Sequence, residues 1–212
     1  MFVGINLVDL EYYLMVIIMK DIKRDIIFRI LFIVLILGII FGLLFISIVS
    51  DSNKNIIKDS VNNYFIYYDD FKLEYLKIFF DGFISNIIVI LFLWIIGLSV
   101  VGSFINIFIL LYKSFLCGFS FVSIVYNFGL SGLFKGSVFI ISEFLNLLIL
   151  FLLVYYSLSF SIILFNYLFK KKEFNRNIVV VRYSKILGFC FVLCIINNLI
   201  NTFLISNIIK WL

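Results

Sequence analysis

Apolar runs of membrane length alternate along this chain with shorter charged stretches. Residues 94–119, WIIGLSVVGSFINIFILLYKSFLCGF, set the pattern: Lys113 is their only charge, and Gly97, Gly102 and Gly118 punctuate them. Water does not tolerate so long an apolar surface. A bilayer demands one, because a helix needs about 20 apolar residues to cross roughly 30 Å of hydrocarbon. The pattern predicts spans over Ile30–Val49, Phe83–Tyr112, Ser114–Phe128, Leu133–Phe169 and Ile186–Ile209. The second, at about 45 Å if straight, must tilt or bend, and Gly97 and Gly102 are the weak points. The third is short, and either borrows length or turns back.

Before the first span, Leu7, Leu10, Leu14 and Ile17 recur at helical spacing, and Lys20, Lys23, Arg24 and Arg29 follow. Residues 1–29 therefore read as an amphipathic cytoplasmic segment lying on the inner face. Residues 30–212 read as one transmembrane domain, with an outer loop at 50–82 and a basic inner loop at 170–185. The outer loop is long enough to hold local helix, expected over Tyr75–Phe83.

Composition fixes the class. The chain is 65% hydrophobic and 14% charged, whereas soluble domains carry about a quarter charged residues. A closed barrel would need short alternating strands, and these runs are continuous. The fold class is an all-α polytopic membrane bundle of five transmembrane helices. With the N-terminus inside and the C-terminus outside, eleven of the 17 Lys and Arg residues fall on the inner side, as the positive-inside rule requires. The net charge of +5 thus reports topology and the lipid bilayer as partner, not nucleic acid.

Little in the chain supports catalysis. Histidine is absent, which removes the commonest general base and zinc ligand. Cys117, Cys190 and Cys194 lie inside apolar runs and read as packing residues. No phosphate loop, metal spacing or nucleophile beside a base is present, so the chain reads as a non-enzyme without a cofactor.

Polar residues inside the spans carry the remaining signal. Glu143 is the only acid within an apolar segment, and Asn146 follows three residues on, on the same face. An ionisable group at that depth costs roughly 2.5–3.5 kcal/mol, so it marks a functional site by default. Glu143 reads as a proton or ion site, as a polar clasp between helices or subunits, or as an acid that lies near the outer interface or pairs with Lys135 or Lys113. Lys113 is expected to snorkel at the inner boundary, and Asn86, Asn106 and Asn166 to bond between helices. Gly38 and Gly42 form a small-xxx-small pair that admits another helix closely, which makes a homodimer one candidate assembly. Irregular span lengths, paired glycines and one buried acid also suit a transporter component.

One family shares this order of features. Gly38-Ile-Ile-Phe-Gly42 precedes a polar outer loop, and Trp94-Ile-Ile-Gly97-Leu-Ser-Val-Val-Gly102 follows it. Then come Lys113 with Gly118-Phe119, and Gly129-Leu-Ser-Gly132. From about Arg29 onward the chain resembles the stage II sporulation protein M family of endospore-forming bacteria. It departs in having Ser142-Glu143-Phe144 where the family has a proline-led polar motif, and Ser114 where the family favours glycine. The resemblance implies a membrane scaffold without catalysis. That scaffold anchors peptidoglycan hydrolases resembling stage II sporulation proteins D and P during forespore engulfment.

Overall fold

A computed structural model describes residues 7–69, 75–170, 176–205 and 207–208, with side chains for 25–66, 75–169, 180–181, 183–203 and 207–208. The expected amphipathic face over Met1–Met19, the Lys170–Lys172 side chains and the closing Lys210 and Trp211 lie outside the described residues.

The described chain is helical. The elements are α1 (Leu7–Phe45), α2 (Asp51–Asp69), α3 (Tyr75–Gly97), α4 (Val100–Phe128), α5 (Leu130–Lys170) and α6 (Arg176–Ile200). The last runs into a π-helical turn over Asn201–Ile205. Five of these are long and apolar enough to cross a membrane: α1 from Asp25, α3, α4, α5, and α6 from Tyr183.

The five predicted spans are present with different boundaries. The stretch 83–112 is not one bent helix, because the chain breaks at Leu98–Ser99. Ser99 has extended backbone (φ −107°, ψ 153°), and its Oγ accepts the Gly102 N–H at 2.8 Å, capping α4. A capped serine satisfies one of the N–H groups that a helix start leaves unpaired. Ser114–Phe128 is accordingly the second half of α4 and needs no re-entrant turn. Lys113 does not sit at a boundary; it lies midway along α4. The outer segment differs too: Asp51–Asp69 forms a helix of its own, and Tyr75–Phe83 is the first part of the α3 span. At the other end α1 runs unbroken from Leu7 into the membrane span.

Between α4 and α5 the chain reverses at Gly129, whose φ of 61° favours glycine. Its N–H bonds the Val125 carbonyl at 2.8 Å, closing the end of α4.

α4 is the central helix. On one side it runs parallel to α1: Gly38 faces Leu111 and Ser114, and Gly42 faces Phe115 and Phe119. On the other side it runs antiparallel to α5, where Gly132 meets Ile124 and Gly136 meets the Phe121 ring. α3 and α6 close the bundle against α5. The buried apolar core draws Leu31 from α1, Leu93 from α3, Leu110 from α4, Leu153 from α5 and Cys190 from α6. Bulky side chains such as Phe92, Phe108 and Phe189 face outward, more than half exposed, and in a bilayer that surface meets lipid.

α2 is too polar to span. It lies against the far end of α4 and the start of α5. Phe65 is buried there, edge-on to Phe128 at 5.2 Å. Lys135 stands 4.3 Å from the Phe128 ring centre, and Asn127 donates to Asn62 Oδ1 at 2.6 Å.

Candidate functional site

A polar chamber of about 310 Å³ opens between α3, α5 and the end of α6, beneath α2. Asp81, Gly82, Ser85 and Asn86 line it from α3, and Ser142, Glu143 and Asn146 from α5. Asn198 and the first residues of the π-helical turn, Asn201 and Thr202, form the third wall, and Tyr64 of α2 stands at its α2 end. Below it lies a smaller cavity of about 90 Å³ that shares Asn86, Glu143 and Asn146 with the first and adds Lys113 from α4.

Local structure explains why these groups converge. Spacings of three and four residues place Asn86 below Gly82 on α3 and Asn146 beside Glu143 on α5. Gly82 supplies the space for the α6 wall: a Cβ there would come within 2.7 Å of Asn198 Oδ1. The π-helical turn widens the backbone where Asn201 and Thr202 face the chamber, and such turns gather at functional sites.

The amides form a relay. Asn197 Nδ2 donates to Asn146 Oδ1 at 2.6 Å, and Asn146 Nδ2 reaches Glu143 Oε2 at 3.4 Å. Glu143 is therefore held by α6 through Asn146. Glu143 sits about 20 Å along α5 from its start at 1.5 Å per residue, well inside the bundle. Lys113 shares the lower cavity with it, and no ion pair within 4 Å joins them among the described residues. Asn197 is 1% exposed, and its Oδ1 has no hydrogen-bond partner.

A second polar cluster lies toward the Ser99 end. Asn106, fully buried, donates to the Leu93 carbonyl and to Ser157 Oγ, both at 3.0 Å. Tyr183 stacks on Trp94 at 5.8 Å, and its hydroxyl donates to the Trp94 carbonyl at 3.3 Å. Gly97 lies against that hydroxyl and Ser157.

The sequence-predicted residues thus separate into three places. Gly38, Gly42 and Gly118 line the α1–α4 contact. Trp94 and Gly97 join the Tyr183 cluster, and Gly102 closes the turn over Ile96 and Ser99. Lys113, Glu143 and Asn146 meet at the chamber. Reading the sequence missed Asp81, Asn198 and Thr202 as chamber residues; the polar end of the last span was the available signal.

This arrangement of spans, breaks and glycines has a counterpart among known proteins. The pattern described as stage II sporulation protein M matches residues 31–206. The chain belongs to the stage II sporulation protein M family. The match runs from the first span through the π-helical turn, so it takes in α2, the α4 glycines and every chamber-lining residue. No curated protein and no solved structure matches the chain.

Proposed function

We propose that this member of the stage II sporulation protein M family is a non-enzymatic membrane scaffold. In this reading it holds peptidoglycan-degrading partners, resembling stage II sporulation proteins D and P, at the outer face during forespore engulfment. Family membership over residues 31–206 carries the proposal. The distribution of basic residues supports placing the α2 end outside, where the wall lies. α2 then offers partners a polar helix rather than a loop, with Asp51, Asn55, Asp59 and Asn63 exposed along it. Its fixed seat on Phe128 and Asn127 would present that face without an ordering cost at binding. The test is purification of the tagged protein from sporulating cells in mild detergent. Both hydrolases co-purify if the reading holds. It fails if neither does while both remain membrane-associated.

The chamber favours a second reading, a membrane component of a transporter. A Glu143→Gln variant that loses solute flux in vesicles, with its partners still bound, would replace the first reading with this one.

A further inference from the structure

We propose that the chamber between α3, α5 and α6 binds a singly charged inorganic cation, which enters from the α2 end and is stopped below by Lys113. The proposal does not depend on the scaffold reading.

Charge within the two cavities is distributed by sign. The larger chamber contains two acids, Asp81 and Glu143, and its lining includes no base. The base, Lys113, lines only the smaller cavity beneath. A cation arriving from the α2 side meets Asp81 first, since this residue is exposed near the start of α3, and Glu143 deeper in. Beyond Glu143 the ammonium of Lys113 repels it. A fixed positive group across a narrow path is a familiar way to bar cations, so the chamber is a pocket and not a channel.

The donor set selects the ligand. Apart from the two carboxylates the polar walls offer hydroxyl and amide oxygens: Ser85, Ser142, Thr202, Asn86, Asn198 and Asn201. A lining whose acceptor atoms are all oxygens suits hard cations and offers nothing to soft ones. Asp81 stands open to solvent at the rim, so Glu143 is the one partly buried carboxylate in the lining. A single enclosed acid favours a sodium- or potassium-like ion over a divalent one. Independently, the π-helical turn that carries Asn201 and Thr202 opens onto the chamber, and such turns gather at functional sites.

The experiment is thermal unfolding of the full chain in lipid nanodiscs. Sodium or potassium chloride is titrated against N-methyl-D-glucamine chloride at constant ionic strength. The expected result is a saturable rise in Tm with sodium or potassium that the bulky organic cation does not produce. Glu143→Gln should abolish the rise, and Lys113→Met should move its midpoint at least about tenfold lower by removing a nearby like charge. Should Glu143→Gln not fold, Asp81→Asn at the exposed rim must still raise the midpoint several-fold. The proposal is overturned if all three salts act alike, if only magnesium or calcium gives a saturable rise, or if neither acid variant changes the titration. A second readout is labelling of Ser85→Cys from the α2 side. A cationic thiosulfonate should outpace an anionic one by at least about fivefold relative to Asn53→Cys, because an acidic cleft concentrates cations. An equal or inverted ratio would also overturn it.

Discussion

Gly42 of α1 lies against the carbonyl oxygen of Phe115 in α4 with no room for a side-chain carbon between them. A Cβ on Gly42 would also lie 2.7 Å from the Phe119 nitrogen, and one on Gly38 the same distance from Ser114 Cβ. Gly118 answers from the other helix, facing the Ile39 backbone. The face that the sequence offers to a second copy is therefore filled by a helix of the same chain. Without a hydrophobic drive between helices in lipid, such close backbone approach is a main source of association.

Gly42→Val should accordingly destabilise the bundle by about 1–3 kcal/mol, the usual cost of forcing carbon into packed space. Gly188 gives the control: a Cβ there meets nothing within 4 Å. Gly188→Ala should be neutral or stabilise by up to about 1 kcal/mol, since alanine is the better helix former. Reversible unfolding in mixed detergent micelles would read both.

Gly97 and Tyr183 should couple. A Cβ at position 97 would strike the Tyr183 hydroxyl and come within 2.5 Å of Ser157 Oγ. Gly97→Ala should lower stability, and Tyr183→Phe should cost about 0.5–1.5 kcal/mol for the lost hydrogen bond to the Trp94 carbonyl. The double variant should be more stable than the sum predicts by at least about 0.5 kcal/mol, as expected for residues in contact. Strict additivity would show that the two do not share this space.

Asn106 ties three helices, giving its amide to α3 and to α5 from α4. Asn106→Leu should cost about 0.6–2 kcal/mol, the range for interhelical hydrogen bonds in membranes. A cycle with Ser157→Ala should recover a positive coupling energy in the same unfolding assay.

The Lys54–Asp51 pair on α2 should behave differently. The 3.0 Å hydrogen bond to Asp51 raises the Lys54 pKa above its ordinary value. A base with a raised folded-state pKa adds stability that is complete below its unfolded value and is lost only as pH climbs through the folded one. No stability change from this pair is expected between about pH 6 and 9. Lys54→Ala should leave the unfolding curve indistinguishable from that of the parent protein, because ion pairs at the surface contribute little. A pH series of unfolding curves for both proteins checks it.

Topology gives the sharpest whole-cell expectation. Cysteine in place of Lys135 should react with an impermeant reagent on intact cells, and cysteine in place of Lys171 only after permeabilisation. The opposite result would invert the bundle and remove the wall-facing role of α2.

The class of fold was legible because apolar run length needs no tertiary knowledge. Five spans follow from it, but the division between the second and third does not. Residues 83–112 look continuous by hydropathy, and only the cap made by Ser99 on Gly102 places the break. That shift moved Lys113 from an expected boundary to mid-helix. It is also why the link from Lys113 to Glu143 stood only as one alternative among three. Glu143 and Asn146 stood out because acids and amides are rare in lipid. Asp81 did not, since an acid in a polar-looking outer stretch carries no signal until α3 is known to begin at Tyr75. α2 was hidden for the reverse reason. Its mixed composition reads as loop, and the seat that Phe65 finds on Phe128 joins residues far apart in sequence.

The pairing of α1 with α4 also dictates an order of assembly. The first span enters the bilayer while its partner has not yet been synthesised, and its neighbour in sequence, α3, is not the surface it needs. Until Gly118 arrives, the Gly38–Gly42 groove stands open to lipid, so a chain that stops short of its fourth helix bares a close-packing face that the finished protein conceals.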